Sequence, residues 1–129
     1  MTSLARDAQS SGAPLQISWV IPTKATLSED WYFSDSTGAP QDISGLNFTI
    51  NFRRDENYDN PEFSFSTSDY LSIVEDTDAS VYRILRIVVP ARTLQSYSGD
   101  YICDLSYTDS DAKVFLLAHG IATLRPNPA

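Results

Sequence analysis

The sequence predicts an all-β sandwich, and three observations support this prediction. About eight short segments alternate apolar and polar residues, which is the period of a strand with one buried face. Turns rich in Gly, Pro, Asp and Ser separate these segments at the regular spacing typical of a sandwich. No segment of useful length has the period of an amphipathic helix. We therefore expect one domain of about seven to nine strands.

A long hairpin near the C-terminal end is the clearest element. Residues 99–107 alternate, and residues 108–111 form a short polar loop. Residues 112–124 form the returning strand. Because residues 114–118 are apolar at successive positions, we expect this strand to be covered on both faces or to form a buried edge.

Six further segments have the pattern of strands. We expect them at residues 15–21, 25–34, 46–52, 62–67, 70–74 and 81–89. The segment 46–52 has the cleanest alternation, so its apolar even-numbered positions should face the core. The predicted core comprises Leu46, Phe48, Ile50, Phe52, Leu85, Ile87, Tyr101, Cys103, Leu105 and Leu116.

Length and charge limit the number of domains and the kinds of partner. The 129 residues fit one domain, with a flexible polar arm at residues 1–13, the sandwich at 14–124 and a proline-containing tail at 125–129. The formal net charge is −8, from nine basic and seventeen acidic side chains. Since nucleic acids and anionic membranes bind clustered Lys and Arg, we expect neither as a partner.

The sequence also lacks the patterns of export and of disulfide bonding. No apolar run is long enough to span a bilayer, and residues 1–12 lack the apolar stretch of a signal peptide. The single cysteine, Cys103, excludes an internal disulfide and a cysteine-based zinc site. We therefore expect a protein that is made in the cytoplasm and needs no oxidation to fold.

No group of residues has the pattern of an active site. His119 is the only histidine, and the sequence has no motif of a nucleophile that it would activate. Cys103 lies on an apolar strand face without neighbouring positive charge, which favours a buried, inert thiol over a reactive one. We predict a non-enzymatic protein without a cofactor or a bound metal.

Two acidic loops and one aromatic group allow both a binding and a structural interpretation. Asp109 and Asp111 lie two residues apart, and three more carboxylates crowd residues 55–59. Because the Gly and the terminal Glu of a calcium loop are missing, solvated turns are favoured. Trp19 and residues 31–33 would line a sugar site if they were exposed in a row, but core packing is favoured in a small domain.

Turn and strand motifs follow one another in a defined order. They are Trp19-Val20-Ile21-Pro22, Asp35-Ser36-Thr37-Gly38-Ala39-Pro40, Asp42-Ile43-Ser44-Gly45, an alternating strand ending in Arg53, Gly99-Asp100-Tyr101-Ile102-Cys103-Asp104-Leu105, and Gly120 with Ala122 and Leu124. Over residues 15–124 this order resembles the N-terminal domain of siphophage baseplate upper proteins. The resemblance implies an accessory structural protein of a tailed-phage virion: a capsid decoration, fibre-anchoring, or baseplate and tail module that binds other virion proteins and forms homo-oligomers in the assembly.

A second motif favours an immunoglobulin-like sandwich. The run Tyr97-Ser98-Gly99-Asp100-Tyr101-Ile102-Cys103 resembles the S-G-x-Y-x-C signature of immunoglobulin domains, in which the Tyr forms a corner and the Cys forms a disulfide. The partner cysteine is absent, so the resemblance implies the Ig-like fold and a corner at Tyr101. It also keeps a second function open, a free-standing module that recognises a glycan or a cell-surface protein.

The two ends of the chain are the predicted contacts with other virion proteins. Residues 1–13 have no apolar stripe, so they have no hydrophobic reason to dock on their own domain and should be disordered by themselves. We expect a neighbouring subunit to order this arm. The tail should act in the same way, because its prolines lower the entropy lost on ordering. The predicted partner-binding residues are Leu4, Arg6, Arg125 and Pro126.

Overall fold

The computed structural model describes residues 3–5, 15–54 and 60–126. In these residues the chain forms nine strands and no helix, and so no helix that could cross a membrane. The strands are β1 (Ser3–Ala5), β2 (Leu15–Pro22), β3 (Leu27–Ser34), β4 (Asn47–Arg53), β5 (Phe63–Ser66), β6 (Leu71–Asp76), β7 (Val81–Val89), β8 (Gly99–Thr108) and β9 (Val114–Arg125). All strands predicted from the sequence are present, and the prediction of an all-β fold is confirmed.

The strands form two sheets that pack around one core. The four-stranded sheet has the order β1-β3-β7-β6, and the five-stranded sheet has the order β2-β9-β8-β4-β5. The orders β3-β7-β6 and β9-β8-β4-β5 correspond to strands B-E-D and G-F-C-C′ of an immunoglobulin domain. The whole length of β2 runs parallel to the last strand, β9, and pairs with it. The predicted single-domain, Ig-like sandwich is therefore the observed arrangement.

The first strand belongs to the N-terminal arm. Ser3–Ala5 runs parallel to β3 and pairs with Tyr32, Phe33 and Ser34 of the same chain. Main-chain pairing with a sheet needs no apolar stripe, which is why the composition of the arm does not predict this strand. Residues 1–2 and 6–14 lie outside the described residues, so binding of the arm to a neighbouring subunit stays a prediction.

The register of β4 is the one that its alternation predicts. Phe48, Ile50 and Phe52 are fully buried, and the polar positions between them are half-buried. Leu46 precedes the strand and is only half-buried, because it closes a turn in which its N–H donates to the carbonyl of Ile43. The other buried members of the predicted core are Leu85, Ile87, Tyr101, Cys103 and Leu105.

The predicted burial of Leu116 is wrong, because β9 contains a bulge. Leu105 of β8 pairs with Ala118, but the next residue, Ser106, pairs with Leu116. The extra residue, Leu117, turns inward beside Ala118, and Leu116 points outward with 38% of its surface exposed. The bulge explains why apolar residues follow one another here.

The expectation that this strand is a buried edge, or is covered on both faces, is also wrong. β9 lies between β2 and β8, inside the five-stranded sheet. Its inner face packs in the core, whereas Val114 and Ile121 on its outer face are exposed. The larger sheet therefore presents apolar residues to solvent.

Candidate functional site

A charged cluster lies on the outer face of the five-stranded sheet. Asp104 of β8 accepts a hydrogen bond from Nη2 of Arg53 at 2.6 Å, and its other oxygen lies 2.5 Å from Nδ1 of His119. Arg53 is on β4 and His119 is on β9, so three adjacent strands bring the groups together. All three side chains are half-buried. Among the described residues no nucleophile is hydrogen-bonded to His119, whose partner Asp104 is also bound by Arg53.

The same face carries exposed apolar side chains. Ile121 of β9 is 47% exposed and lies opposite the half-buried Ile102 of β8. Val20 of β2 and two more residues of β9 are also exposed. Apolar side chains grouped beside charged ones on a solvent-facing surface are typical of protein contact sites. We call this surface the β9 patch, and its members are Val20, Ile102, Val114, Leu116 and Ile121.

The only cysteine lies on the opposite, inner face of the same sheet. Cys103 of β8 has Phe52 of β4 on one side and Gly120 of β9 on the other. It is fully buried, and this burial raises the pKa of its thiol to about 12. The structure agrees with the prediction of an inert thiol, because a thiol with this pKa stays protonated at neutral pH.

Tyr101, the residue expected to form the immunoglobulin corner, has a different partner here. In immunoglobulin domains the hydroxyl binds the main chain a few residues upstream. In this protein the Tyr101 hydroxyl donates to Oε2 of Glu62 at 3.3 Å, and the guanidinium of Arg54 lies 4.1 Å from the centre of the ring. Tyr101 therefore ties β8 to the connection between β4 and β5.

The carboxylates of the β8–β9 loop hold a turn. Oδ1 of Asp109 accepts the main-chain N–H groups of Asp111 and Lys113 at 2.9 and 3.0 Å. This is the use of a turn aspartate that the sequence favours. Among the residues that the structure describes, no three His, Cys, Asp or Glu side chains are grouped so that they could hold a metal ion. The carboxylates within residues 55–59 lie outside that part of the chain.

A pocket opens between β2 and β3, where the two sheets meet at one side of the sandwich. Glu29 lies in it at an inward position of β3, in alternation with Leu27 and Trp31, which are buried. Glu29 itself is half-buried. The pocket has a volume of about 170 Å³ and is lined by Gln16, Ile17, Ser18, Trp19, Glu29 and Trp31.

Both tryptophans of the chain hold the carboxylate of Glu29. Nε1 of Trp19 donates to Oε2 of Glu29, and Nε1 of Trp31 donates to Oε1 at 3.0 Å. Because Trp19 is on β2 and Glu29 is on β3, the carboxylate joins the two sheets. Trp19 and Trp31 are only 7% and 4% exposed, with ring centroids 5.5 Å apart. These rings pack in the core, as predicted, so their faces are not available for stacking on a sugar.

Glu29 has no cationic partner in the described part of the chain. No Lys, Arg or His side chain of the described residues forms an ion pair with it. The three other strand carboxylates that are at least half-buried each pair with an arginine: Asp30 with Arg86, Asp76 with Arg83 and Asp104 with Arg53. The contrast is clearest with its immediate neighbour Asp30, whose two oxygens accept hydrogen bonds from Nε and Nη2 of Arg86 at 2.9 and 3.0 Å.

Glu29 is not among the residues predicted from the sequence, where the aromatic residues 31–33 are the feature of this strand that stands out. The available signal was the alternation of Leu27, Glu29, Trp31 and Phe33, which places one carboxylate at an inward position. The second donor, Trp19, lies ten residues away in the chain and on the other sheet, so no strand period indicates that it reaches the same carboxylate.

The residues predicted to bind partners lie at different ends of the sandwich. Leu4 lies in β1, and its main chain pairs with Phe33 near the end of β3. Arg125 ends β9 beside the end of β2, and both it and Pro126 are exposed. Since the end of β2 leads through a short connection to the start of β3, Leu4 and Arg125 are far apart. Arg6 lies outside the described residues, and binding by these four residues stays a prediction.

Comparison with known proteins identifies a phage domain of the same fold. The chain is similar to the N-terminal domain of ORF48 of phage TP901-1, with a TM-score of 0.50 and 11% sequence identity, over 95% of this chain and 94% of that chain. No family model and no curated protein matches the sequence. At this identity the likeness concerns architecture, and it agrees with the phage resemblance of the sequence motifs at that level.

Proposed function

We propose that this protein is a non-enzymatic structural module of a tailed-phage particle that binds other virion proteins. The main support is the likeness in fold to a domain of a phage protein over nearly the whole of both chains. Because a fold by itself does not determine function, the surface of this chain must also suit the role. Its buried thiol and its carboxylate-bound histidine do not form a nucleophile–base pair, whereas its larger sheet exposes apolar residues.

The β9 patch is the contact surface in this proposal. Ile102 and Val20 lie on the two strands beside Ile121, and the Arg53–Asp104–His119 cluster lies next to them on the same sheet face. An apolar centre with charged groups at its side is the usual composition of a protein interface. Within the virion the module serves as a decoration, a fibre anchor or a baseplate component, with several copies in one assembly.

Incorporation into particles tests the proposal. The gene is deleted from a phage that encodes this chain. The phage is then grown on cells that produce either the wild-type protein or the Ile121→Lys variant. We expect quantitative mass spectrometry to find the wild-type protein in purified particles. Ile121→Lys should lower its copy number about tenfold or more, because a lysine is costly to bury in an apolar contact. Val88→Lys is the matched control, since Val88 is an exposed strand residue of the other sheet.

Each result separates one part of the proposal from the others. Absence of the wild-type protein from purified particles would contradict the virion role and favour a free-standing module, which a glycan array would then examine. Normal incorporation of Ile121→Lys would contradict only the role of the β9 patch and would leave the virion role intact.

Deletion of residues 1–13 tests attachment through the N-terminal arm. The deletion should leave a folded sandwich that does not incorporate into particles. Normal occupancy of that variant would contradict attachment through the arm.

A further inference from the structure

We infer that the pocket at Glu29 binds a lysine or arginine side chain from an extended segment of another protein. Only the assumption that this partner is a virion component rests on the proposed function. The recognition chemistry rests on three features of the described residues: a carboxylate to which none of them supplies a cation, a pocket around it, and an edge of β2 on which none of the described strands pairs.

The carboxylate of Glu29 has capacity for a cation. Each of its oxygens accepts one indole N–H, from Trp19 or from Trp31. Since a carboxylate offers about four acceptor sites, both oxygens keep capacity for further donors. A partly buried carboxylate is most stable when it is paired with a cation, and the described residues supply none at this position. An ammonium or guanidinium group from another molecule would supply both the charge and the donors.

The pocket around this carboxylate is held by core packing. The Trp19 ring lies 5.5 Å from the ring of Trp31 and 6.1 Å from the ring of Phe52, measured between centroids. The donors that orient Glu29 are therefore fixed before any ligand arrives, which lowers the entropy lost on binding. A volume of about 170 Å³ is sufficient for the end of a long side chain, since an apolar cavity of about 150 Å³ holds a benzene molecule.

The strand edge beside the pocket suits an extended segment. β2 pairs with β9 on one side and, among the described strands, with nothing on the other. An added strand would form main-chain hydrogen bonds with this edge and would point alternate side chains to one face. Because four of the residues that line the pocket belong to β2, a side chain on the inward face of the added strand would lie over Glu29.

The charge of the protein favours a basic segment as the occupant. The chain carries a formal net charge of −8, which attracts cationic segments and repels acidic ones. A lone cationic side chain would satisfy Glu29, but it would leave the edge of β2 unpaired. We therefore assign the site to a basic side chain on an extended protein segment rather than to a free amine.

The two tryptophans make the site directly observable, because the chain has no others. The probe is a capped peptide of 8 residues, the length of β2, made of Thr and Val with one arginine near its centre. Its control carries citrulline, the neutral analogue, in place of the arginine. We expect the arginine peptide to shift both indole N–H signals in the NMR spectrum. The citrulline peptide should bind about ten to a hundred times more weakly, because the charge-assisted hydrogen bonds are lost.

Two variants test the assignment to Glu29. Glu29→Gln keeps the size of the side chain and should weaken binding of the arginine peptide about tenfold or more. Glu75→Gln removes the same charge from an exposed strand position on β6 and should bind as the wild type does. Capped free arginine should bind at least about tenfold more weakly than the peptide, because it lacks the strand pairing.

Four outcomes would overturn the inference. They are unchanged indole signals at millimolar arginine peptide, equal binding of the citrulline peptide, unchanged binding by Glu29→Gln, and equal binding of free arginine. The comparison of the two peptides uses the wild-type protein, so it stays decisive if Glu29→Gln does not fold. None of these measurements involves phage particles, whereas the proposed function is tested by incorporation, so failure of one can be told from failure of the other.

Discussion

β4 and β9 flank the same strand, β8, but they fill the core in different ways. β4 pairs with β8 without a shift, and its inward residues Phe48, Ile50 and Phe52 are large. β9 pairs with β8 through a bulge, and its inward residues beyond the bulge include Ala118, Gly120 and Ala122. Each strand has a further neighbour, β5 beside β4 and β2 beside β9, but only at Gly120 of β9 would an added Cβ overlap a carbonyl oxygen of the neighbouring strand, that of Ile17. β4 therefore stabilises the fold through the large side chains that it buries. β9 stabilises it through close packing of its main chain against that of β2.

The largest effect should come from enlarging the smallest residue of β9. A Cβ at Gly120 would overlap the carbonyl oxygen of Ile17 and lie 2.7 Å from its carbonyl carbon. Because these are main-chain atoms of β2, they cannot move without breaking the pairing of the two strands. We expect Gly120→Ala to destabilise the protein by about 5 kcal/mol or more, which is enough to unfold a marginal domain. Circular dichroism and denaturant titration measure this.

Gly38→Ala is the matched control for this substitution. Gly38 has a φ of +86° and nothing within 4 Å of the position of an added Cβ. The alanine there meets only conformational strain, so we expect a loss of about 1–2 kcal/mol. If Gly120→Ala costs no more than Gly38→Ala, the close approach of β2 and β9 is not what Gly120 provides.

In β4, shortening a side chain rather than enlarging one should destabilise the protein. Phe48→Ala removes a fully buried ring and should cost about 3–5 kcal/mol, through lost burial and the cavity that it leaves. Thr49→Ala, at the next and outward position, should cost less than about 1 kcal/mol, because Thr49 is only half-buried and the change mainly removes β propensity. Denaturant titration of both variants measures the difference. Equal losses would mean that the inner and outer faces of β4 are not distinct.

The bulge in β9 predicts that two neighbouring leucines contribute unequally to the free energy of unfolding. Leu117 is 1% exposed and Leu116 is 38% exposed. Leu117→Ala should therefore cost about 2–4 kcal/mol, and Leu116→Ala should cost less than about 1 kcal/mol. The two variants have the same chemistry and differ by one position, so thermal unfolding compares them directly. If Leu116→Ala cost more stability than Leu117→Ala, the bulge would lie one residue away from its position at Leu117.

The same contrast explains which parts of the fold could be predicted. In β4, a period of two and an uninterrupted pairing lead to one register, so the burial of Phe48 follows from the sequence. In β9, a single extra residue reverses the faces, and nothing in the run 114–118 shows where it lies. The short strand β1 was also missed, because it is held by main-chain pairing with β3 rather than by its side chains.

The candidate site was missed for a related reason. The inward position of Glu29 can be read from the alternation of β3, but its meaning depends on Trp19, which comes from the other sheet. Strand periods assign each residue to a face of its own sheet. They do not show which side chains meet where two sheets face each other at an open side.

Among the substitutions at fully buried positions, the smallest effect that we expect is at Cys103, where β4 and β9 meet across β8. The thiol is fully buried between Phe52 and Gly120. Cys103→Ser should cost about 1–3 kcal/mol, because a hydroxyl is more costly to bury than a thiol. If the surfaces assigned above are the binding sites, particle incorporation and peptide binding should be unchanged. A loss of binding without a loss of stability would instead indicate a functional thiol.

The dependence of stability on pH gives this prediction a second measurement. Burial raises the pKa of the folded thiol to about 12 from its ordinary value of 9.0, so between these pH values only the unfolded chain releases the proton. Stability from the thiol is therefore complete below pH 9 and is lost as the pH rises towards 12. The wild type should lose more stability than Cys103→Ser between these pH values, because serine does not titrate there. Parallel losses in denaturant titrations at both pH values would show that Cys103 is accessible to water in the folded protein.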